Sequence, residues 1–297
     1  MTAPVDLASL DEGHRARQAQ NAVATQRLVA QLFAQLVDPQ NITQSAPRWL
    51  QQSIIAILRG RQASWILAGA YATAVRRLQV PDAPDFALPP FEAPDREKLI
   101  RSLMYTGPGK LAVDLAKTPQ PGPEPDREDP TADFQLWDRQ VQQYEETIRE
   151  APARAAMTAS AAAYRHVSDG GRDLTHRIIA EDPVAVGYMR ITRRQPCAFC
   201  LMLASRGPVY SDDSFDQSDP RFTGPGESKV HDSCGCSLRA IYGSKSSKHW
   251  TETGREAEKL WIAEAARYSG RDAINAFARA ARAQGLGDLN RWGQQDR

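Results

Sequence analysis

The chain is poor in cysteine, lacks any long apolar run and carries almost no net charge, and each shortage excludes something. Four cysteines in 297 residues are too few for a disulfide framework. The N-terminal stretch MTAPVDLASLDEGHRARQAQ is polar and has no apolar signal-peptide core. The expectation is a protein made and kept in a reducing cytoplasm with its thiols free. No stretch approaches the roughly 18 apolar residues of a membrane-spanning helix, so no membrane partner is expected. Lys and Arg number 37 against 36 Asp and Glu, a net charge of +1, so the molecule as a whole is not a polyanion binder, and nothing in its charge supports nucleic-acid binding, which normally shows as a dense basic stripe. The halves differ only mildly: residues 1–150 hold 16 basic against 19 acidic side chains, and residues 151–297 hold 21 against 17. Hydrophobic residues at 41% and charged residues at 25% are ordinary values for a soluble protein. The length allows one large core or two modest ones.

The first half reads as helices separated by proline-rich breaks. In QRLVAQLFAQLV, Leu28, Val29, Leu32, Phe33, Leu36 and Val37 recur at helical spacing and DPQN ends the run. A second helix is expected from about Pro47 to Gln79. Its small-residue stretch LAGAYATAV points to close helix packing, since small side chains let backbones approach. A third helical region, Asp95 to Lys117, is interrupted by TGPGK. That string misses the phosphate-cradling pattern GxxxxGK[ST], because Gly107 and Gly109 stand too close and Leu111 follows the lysine, so a kink or turn is expected there. KTPQPGPEPDREDPT holds five prolines and cannot propagate a helix or bury much. The second half opens with an alanine-rich helix, about Phe134 to Val167, which SDGG is expected to stop before a short helix in RDLTHRIIAEDP. Short strands are expected in VGYMRITR, GPVYS and LRAIYG. Two closing helices, about Thr253–Tyr268 and Arg271–Ala283, should part at YSG, where Gly270 can supply a left-handed residue.

All four cysteines fall between positions 197 and 236, in QPCAFC and HDSCGC. Buried small hydrophobes would need neither the pairing nor the clustering. A redox CxxC belongs to a thioredoxin-like βαβ unit that the sequence does not supply, and it would leave HDSCGC unexplained. Metal ligation accounts for both motifs: a CxxC turn offers one side of a tetrahedral ion and a second chelating pair the other. A thiolate-rich site in a reducing compartment selects zinc, in a structural role. Cys197, Cys200, His231, Cys234 and Cys236 are five candidates for four positions. Cys234 and Cys236 point to one side of an extended segment, so both can bind, or His231 replaces one of them. Four protein ligands would close the site and leave no water to activate, which argues against a zinc hydrolase. His14, His166, His176 and His249 are scattered and read as solvated or capping residues. Ser205 has no Gly-x-Ser-x-Gly elbow around it. Asp212, Asp213, Asp216 and Asp219 lack the glycine and terminal glutamate of an EF-hand and read as a solvated loop. Arg190, Arg193, Arg194 and Arg206 flank the first cysteine pair and form the local basic cluster, open to an acidic partner or nucleic acid.

The strings RHVSDGGRDLTHRIIAEDPVAVGYMR, PCAFCLMLASRGPVY, HDSCGC and YSGRDAINAFARA together resemble the MuF-like minor head proteins of tailed phages of actinobacteria. The resemblance covers roughly residues 150–285, and the first half is similar mainly in its helical organisation. It implies a minor component of the virion, associated with the portal protein, the major capsid or scaffold proteins and the head interior, and present in the host cytoplasm during assembly. It also implies help in head assembly, DNA packaging or ejection. The paired-cysteine motifs of the family carry over onto Cys197, Cys200, His231, Cys234 and Cys236. Some relatives continue into a C-terminal toxin or enzyme domain, whereas this chain ends at Arg297, so no effector activity is expected. Two alternatives stand beside this reading. One is a capsid maturation protease, a label such genes sometimes carry, although no nucleophile–base arrangement is recognisable. The other is a zinc-knuckle nucleic-acid-binding module using Arg190, Arg193 and Arg194.

The fold expected is mainly α (α+β). A helical N-terminal region spans 1–117, a proline-rich linker 118–132, and a MuF-like domain 133–297 with a zinc-binding segment over 197–236.

Overall fold

A computed structural model of the chain describes residues 6–126, 128, 133–193, 195–208, 232 and 234–286. The described residues are mainly helical: α1 (Leu7–Leu36), α2 (Ile42–Gln79), α3 (Arg96–Met104), α4 (Lys110–Lys117), α5 (Phe134–Glu181), α6 (Ala198–Ala204), α7 (Glu252–Leu260) and α8 (Gly270–Ala283). The strands are β1 (Ala185–Ile191) and β2 (Ser237–Tyr242). Short aspartates open several helices by accepting the orphan N–H groups of the first turn: Asp6 from Ser9, Asp95 from Glu97 and Lys98, and Asp133 from Leu136.

Cα packing divides the chain into two compact units. One comprises Ala24–Leu58 and Ala93–Tyr164; the other comprises Met1–Val23, Arg59–Glu92 and Arg165–Arg297.

The core of the first unit is built on Phe33, Trp49, Leu99, Leu103, Leu111 and an i, i+4 alanine stripe, Ala151, Ala155, Ala159 and Ala163. Phe33 and Trp49 meet edge to face with centroids 5.2 Å apart, a favoured arrangement for aromatic quadrupoles. The expected kink at TGPGK is a single π-helical turn, Tyr105–Gly109, carrying Pro108 between α3 and α4. Gly107 explains the sequence there. A Cβ on it would lie 2.9 Å from Trp49 Cη2, 3.1 Å from Phe33 Cε2 and 3.2 Å from Ala159 Cβ. The glycine is therefore a contact point for close packing. Gly107→Val should lower stability by about 2 kcal/mol through overpacking, read as a fall in thermal midpoint, while Gly122→Val, which meets nothing within 4 Å, should leave it almost unchanged.

In the second unit, the LAGAYATAV stretch packs as its small residues require. Trp65, Ala68, Tyr71, Ala72 and Val75 join Leu174 and Ile178 in one cluster. The helix stop expected at SDGG does not occur: α5 runs unbroken from Phe134 to Glu181. Gly170 and Gly171 are retained for closeness. A Cβ on Gly170 would fall 2.3 Å from the Arg61 carbonyl oxygen, and one on Gly171 would fall 2.8 Å from Gln18 Nε2. The Gly171 N–H donates to Ser64 Oγ (3.0 Å), whose hydroxyl donates to Gln18 Oε1 (2.6 Å). In the GPVYS segment, Gly207 and Pro208 are not strand; the remainder lies outside the described residues. Gly207 has φ +62° and closes α6 with its N–H on the Ala204 carbonyl. The separation of the closing helices at Gly270 (φ +53°) agrees with expectation.

The histidines read as solvated are not all so. His14 and His249 are each 2% exposed. His14 stacks on Tyr71 at 4.1 Å, beside a buried network in which Asp11 accepts from the Tyr71 hydroxyl (2.5 Å) and from Arg239 Nη1 (2.5 Å). Arg239 also donates to the His249 carbonyl. A lone histidine in a sequence does not reveal this, because an aromatic ring can be buried for its packing area alone.

Burial, with Arg17 nearby, pushes the His14 pKa from 6.5 down to about 4. The unfolded chain thus binds a proton that the folded chain refuses. Stability from this site is complete above pH 6.5 and is lost as pH falls toward 4, a change on the order of 3 kcal/mol. His166, pushed down to about 3 mainly by burial, acts in the same sense. Equilibrium unfolding measured between pH 7 and 4 should show this slope, and His14→Phe, which keeps the stack and removes the titration, should flatten part of it.

Candidate metal centre

The two strands pair antiparallel, with Ile191 opposite Ser237, Arg190 opposite Leu238 and Tyr188 opposite Ala240. Cys236 immediately precedes β2, and the chain leaves β1 six residues before Cys197. The ladder therefore brings the entrance of the CxxC motif to the exit of the CxC motif, although the two are distant in sequence. Backbone hydrogen bonds of the ladder fix the ends of the two strands beside each other.

Cys197 is the N-cap of α6. Its sulfur accepts the Cys200 N–H at 3.4 Å, which fixes the CxxC turn. The sulfurs of Cys200, Cys234 and Cys236 all lie within 4.8 Å of one another, and Cys200 and Cys234 approach to 3.4 Å. An ion held about 2.3 Å from each thiolate in a tetrahedron would place sulfurs about 3.8 Å apart, so the three thiols can hold a metal ion with little adjustment. All four cysteines are free and buried, none more than 4% exposed. The pKa of Cys200 is driven well above the ordinary thiol value by hydrogen bonding with Cys197 and Cys234, and that of Cys236 by contact with Cys200 and Cys234 together with burial. A bound cation would replace those protons as the charge-compensating species.

Around the thiols sit buried arginines that no sequence motif announces. Arg172 on α5 donates through Nη2 to the carbonyls of Cys234 (2.7 Å) and Cys236 (2.9 Å), and through Nε to Cys236 (3.2 Å). Its Nη1 is held by Asp169 at 2.6 Å. Burial would raise the Asp169 pKa, yet Arg172, Arg165 and Arg61 together hold it below the usual carboxylate range. Arg165, two helical turns before Arg172, anchors Asp232 at 2.7 Å. One face of α5 thus clamps the Cys234 and Cys236 carbonyls and the Asp232 carboxylate. Arg190 on β1 is 1% exposed and points Nη1 at Cys200 Sγ (3.1 Å) and Cys234 Sγ (3.8 Å).

The structure thus gathers Cys200, Cys234 and Cys236, with Cys197 beside Cys200 at the head of α6. His231 lies outside the described residues, as do Asp212, Asp213, Asp216, Asp219 and Arg194. Arg190 does not belong to a surface basic cluster, because it is buried against the sulfurs; Arg206 is exposed and Arg193 donates to the Gln195 carbonyl at 2.5 Å. Ser205 is 7% exposed with its hydroxyl on the Met202 carbonyl. The clamp residues Arg165, Arg172 and Asp232 carried one legible signal: the spacing of seven that puts both arginines on one helix face.

A model of the VG15 protein family matches residues 114–264, just over half of the chain, including every cysteine and each arginine of the clamp. The chain belongs to the VG15 protein family. This is a family of phage proteins, and the matched segment runs from α4 through α5, the sheet and the thiol cluster to the turn after α7. No curated protein and no solved structure matches the chain. In this VG15 member, no helix among the described residues is long and apolar enough to cross a membrane.

Proposed function

We propose that this VG15-family chain is a minor head protein of the phage particle, of the MuF-like kind found in phages of actinobacteria. It would bind the portal and the major capsid or scaffold proteins at the head interior and assist assembly, packaging or ejection. A structural zinc ion would be held by Cys200, Cys234 and Cys236, with Cys197 or His231 as the fourth ligand. The observation that carries this reading is the phage-family match over the same residues that build the buried thiol cluster. Thiolate donors suit zinc, and burial on all sides suits a closed site whose ion stabilises the fold rather than one that presents a water to a substrate. When bound, the ion would supply cross-linking between the CxxC turn and β2; the chain's own part is to position the sulfurs through the sheet register and the Arg172 clamp.

Co-expression with the portal and coat proteins tests the assignment. The chain should co-purify with portal-containing procapsids, and the coat protein should keep the same intact mass with or without it. A coat mass shortened only when the chain is present would favour the maturation protease instead. Absence of the chain from procapsids would contradict the assembly role.

A further inference from the structure

The thiol cluster contains a built-in cation. Arg190 leaves β1 on the same face as Tyr188 and across from Leu238, two residues beyond Cys236. Its guanidinium reaches two of the three clustered sulfurs, 3.1 Å from Cys200 and 3.8 Å from Cys234, in a site where it is 1% exposed. The second nearby guanidinium, that of Arg172, is committed to Asp169 and to the carbonyls of Cys234 and Cys236. A buried arginine is costly unless an anion or a strong acceptor faces it. Here Arg190 faces sulfur. A divalent ion on three thiolates carries a net charge of −1, and on four thiolates −2, so the loaded site is anionic in either form. Both contacts come from Nη1, whose two N–H groups can serve two such sulfurs from one nitrogen.

We infer that Arg190 is the positioning residue of the metal centre. It donates to the Cys200 and Cys234 thiolates, neutralises part of the charge of the loaded site and so sets its affinity for the ion. This rests on the reading of the cluster as a metal site. Partners of this kind, acting through the ligands, typically change metal affinity 10- to 100-fold.

The test uses the full chain and zinc competed against a chromogenic chelator. Arg190→Met should bind zinc about 10- to 100-fold more weakly than the unaltered chain, with Arg190→Lys between the two because its ammonium keeps the charge without the fixed planar N–H geometry. In cobalt-substituted protein, the sulfur-to-metal charge-transfer band should shift to lower energy in Arg190→Met, since thiolates freed of N–H donors are better electron donors. A role in packing alone would lower thermal stability without moving that band. Should Arg190→Met fail to fold, the lysine variant carries the same comparison of affinity and band position. Equal affinity and an unmoved band in a folded variant would overturn the inference while leaving the metal site standing. A different failure would come from an unaltered chain that binds no zinc while Arg190→Met gains it. The guanidinium would then occupy the place of the ion, and both the inference and the metal reading would fall.

Discussion

Gly170→Val is expected to be among the most damaging single substitutions in the protein, lowering stability by about 3 kcal/mol or more. The first added carbon alone would sit 2.3 Å from the Arg61 carbonyl oxygen and 3.0 Å from the Arg61 carbonyl carbon. Both are backbone atoms of α2, so no rotamer change can relieve the clash. The damage reaches further than packing. Arg61 also donates to the His166 carbonyl and pairs with Asp173, and the same turn of α5 carries Asp169 and Arg172, which hold the backbone of Cys234 and Cys236. Displacing this turn should loosen the thiol cluster as well. Thermal unfolding of Gly170→Val should show a midpoint lower by roughly 6 °C or more, accompanied by faster reaction of the cysteines with a thiol probe. A midpoint within 1–2 °C of the unaltered chain would show that the glycine is not needed for closeness.

Cys200→Ser should have an effect of similar size through a different route. Cys200 makes three contacts in the cluster: it faces Cys234 at 3.4 Å, donates its N–H to Cys197 Sγ and receives Arg190. A hydroxyl is a poor ligand for a thiophilic ion, so the variant should retain none of the metal. It should also lose about 3 kcal/mol or more, because binding free energy of a structural ion is folding free energy. The surrounding cluster of Phe199, Leu203, Leu238, Leu260 and Phe277 should keep the helices formed, so circular dichroism should change little while the thermal midpoint falls. Cys197→Ser distinguishes the fourth ligand: complete loss of metal places Cys197 in the set, and near-normal loading assigns the fourth position elsewhere.

Much of the secondary structure is legible in the sequence, because helical periodicity, aspartate caps and breaks such as DPQN and YSG act locally. The failures have a shared cause. Gly170 and Gly171 look like a stop only because the sequence does not show Arg61 pressed against them; a glycine chosen for contact and one chosen for a turn have the same letter. His14 and Arg190 read as surface residues because charged and polar side chains usually are, and their burial depends on Tyr71 and on the sulfurs, 57 and at least 10 positions away. The clustering of the cysteines was legible for the opposite reason: CxxC and CxC are local spacings suited to chelation, and the structure brings Cys200 to Cys234 and Cys236. The two packing units are assembled from separated stretches of chain, a division that local composition does not encode.

The most direct test of the account is metal analysis of this chain recovered from purified phage particles under reducing conditions without chelator. The expected result is that the chain is present in the particle and carries one zinc ion per copy, retained through gel filtration. A chain present without stoichiometric metal, its four thiols reacting freely with a probe once unfolded, would contradict the metal centre.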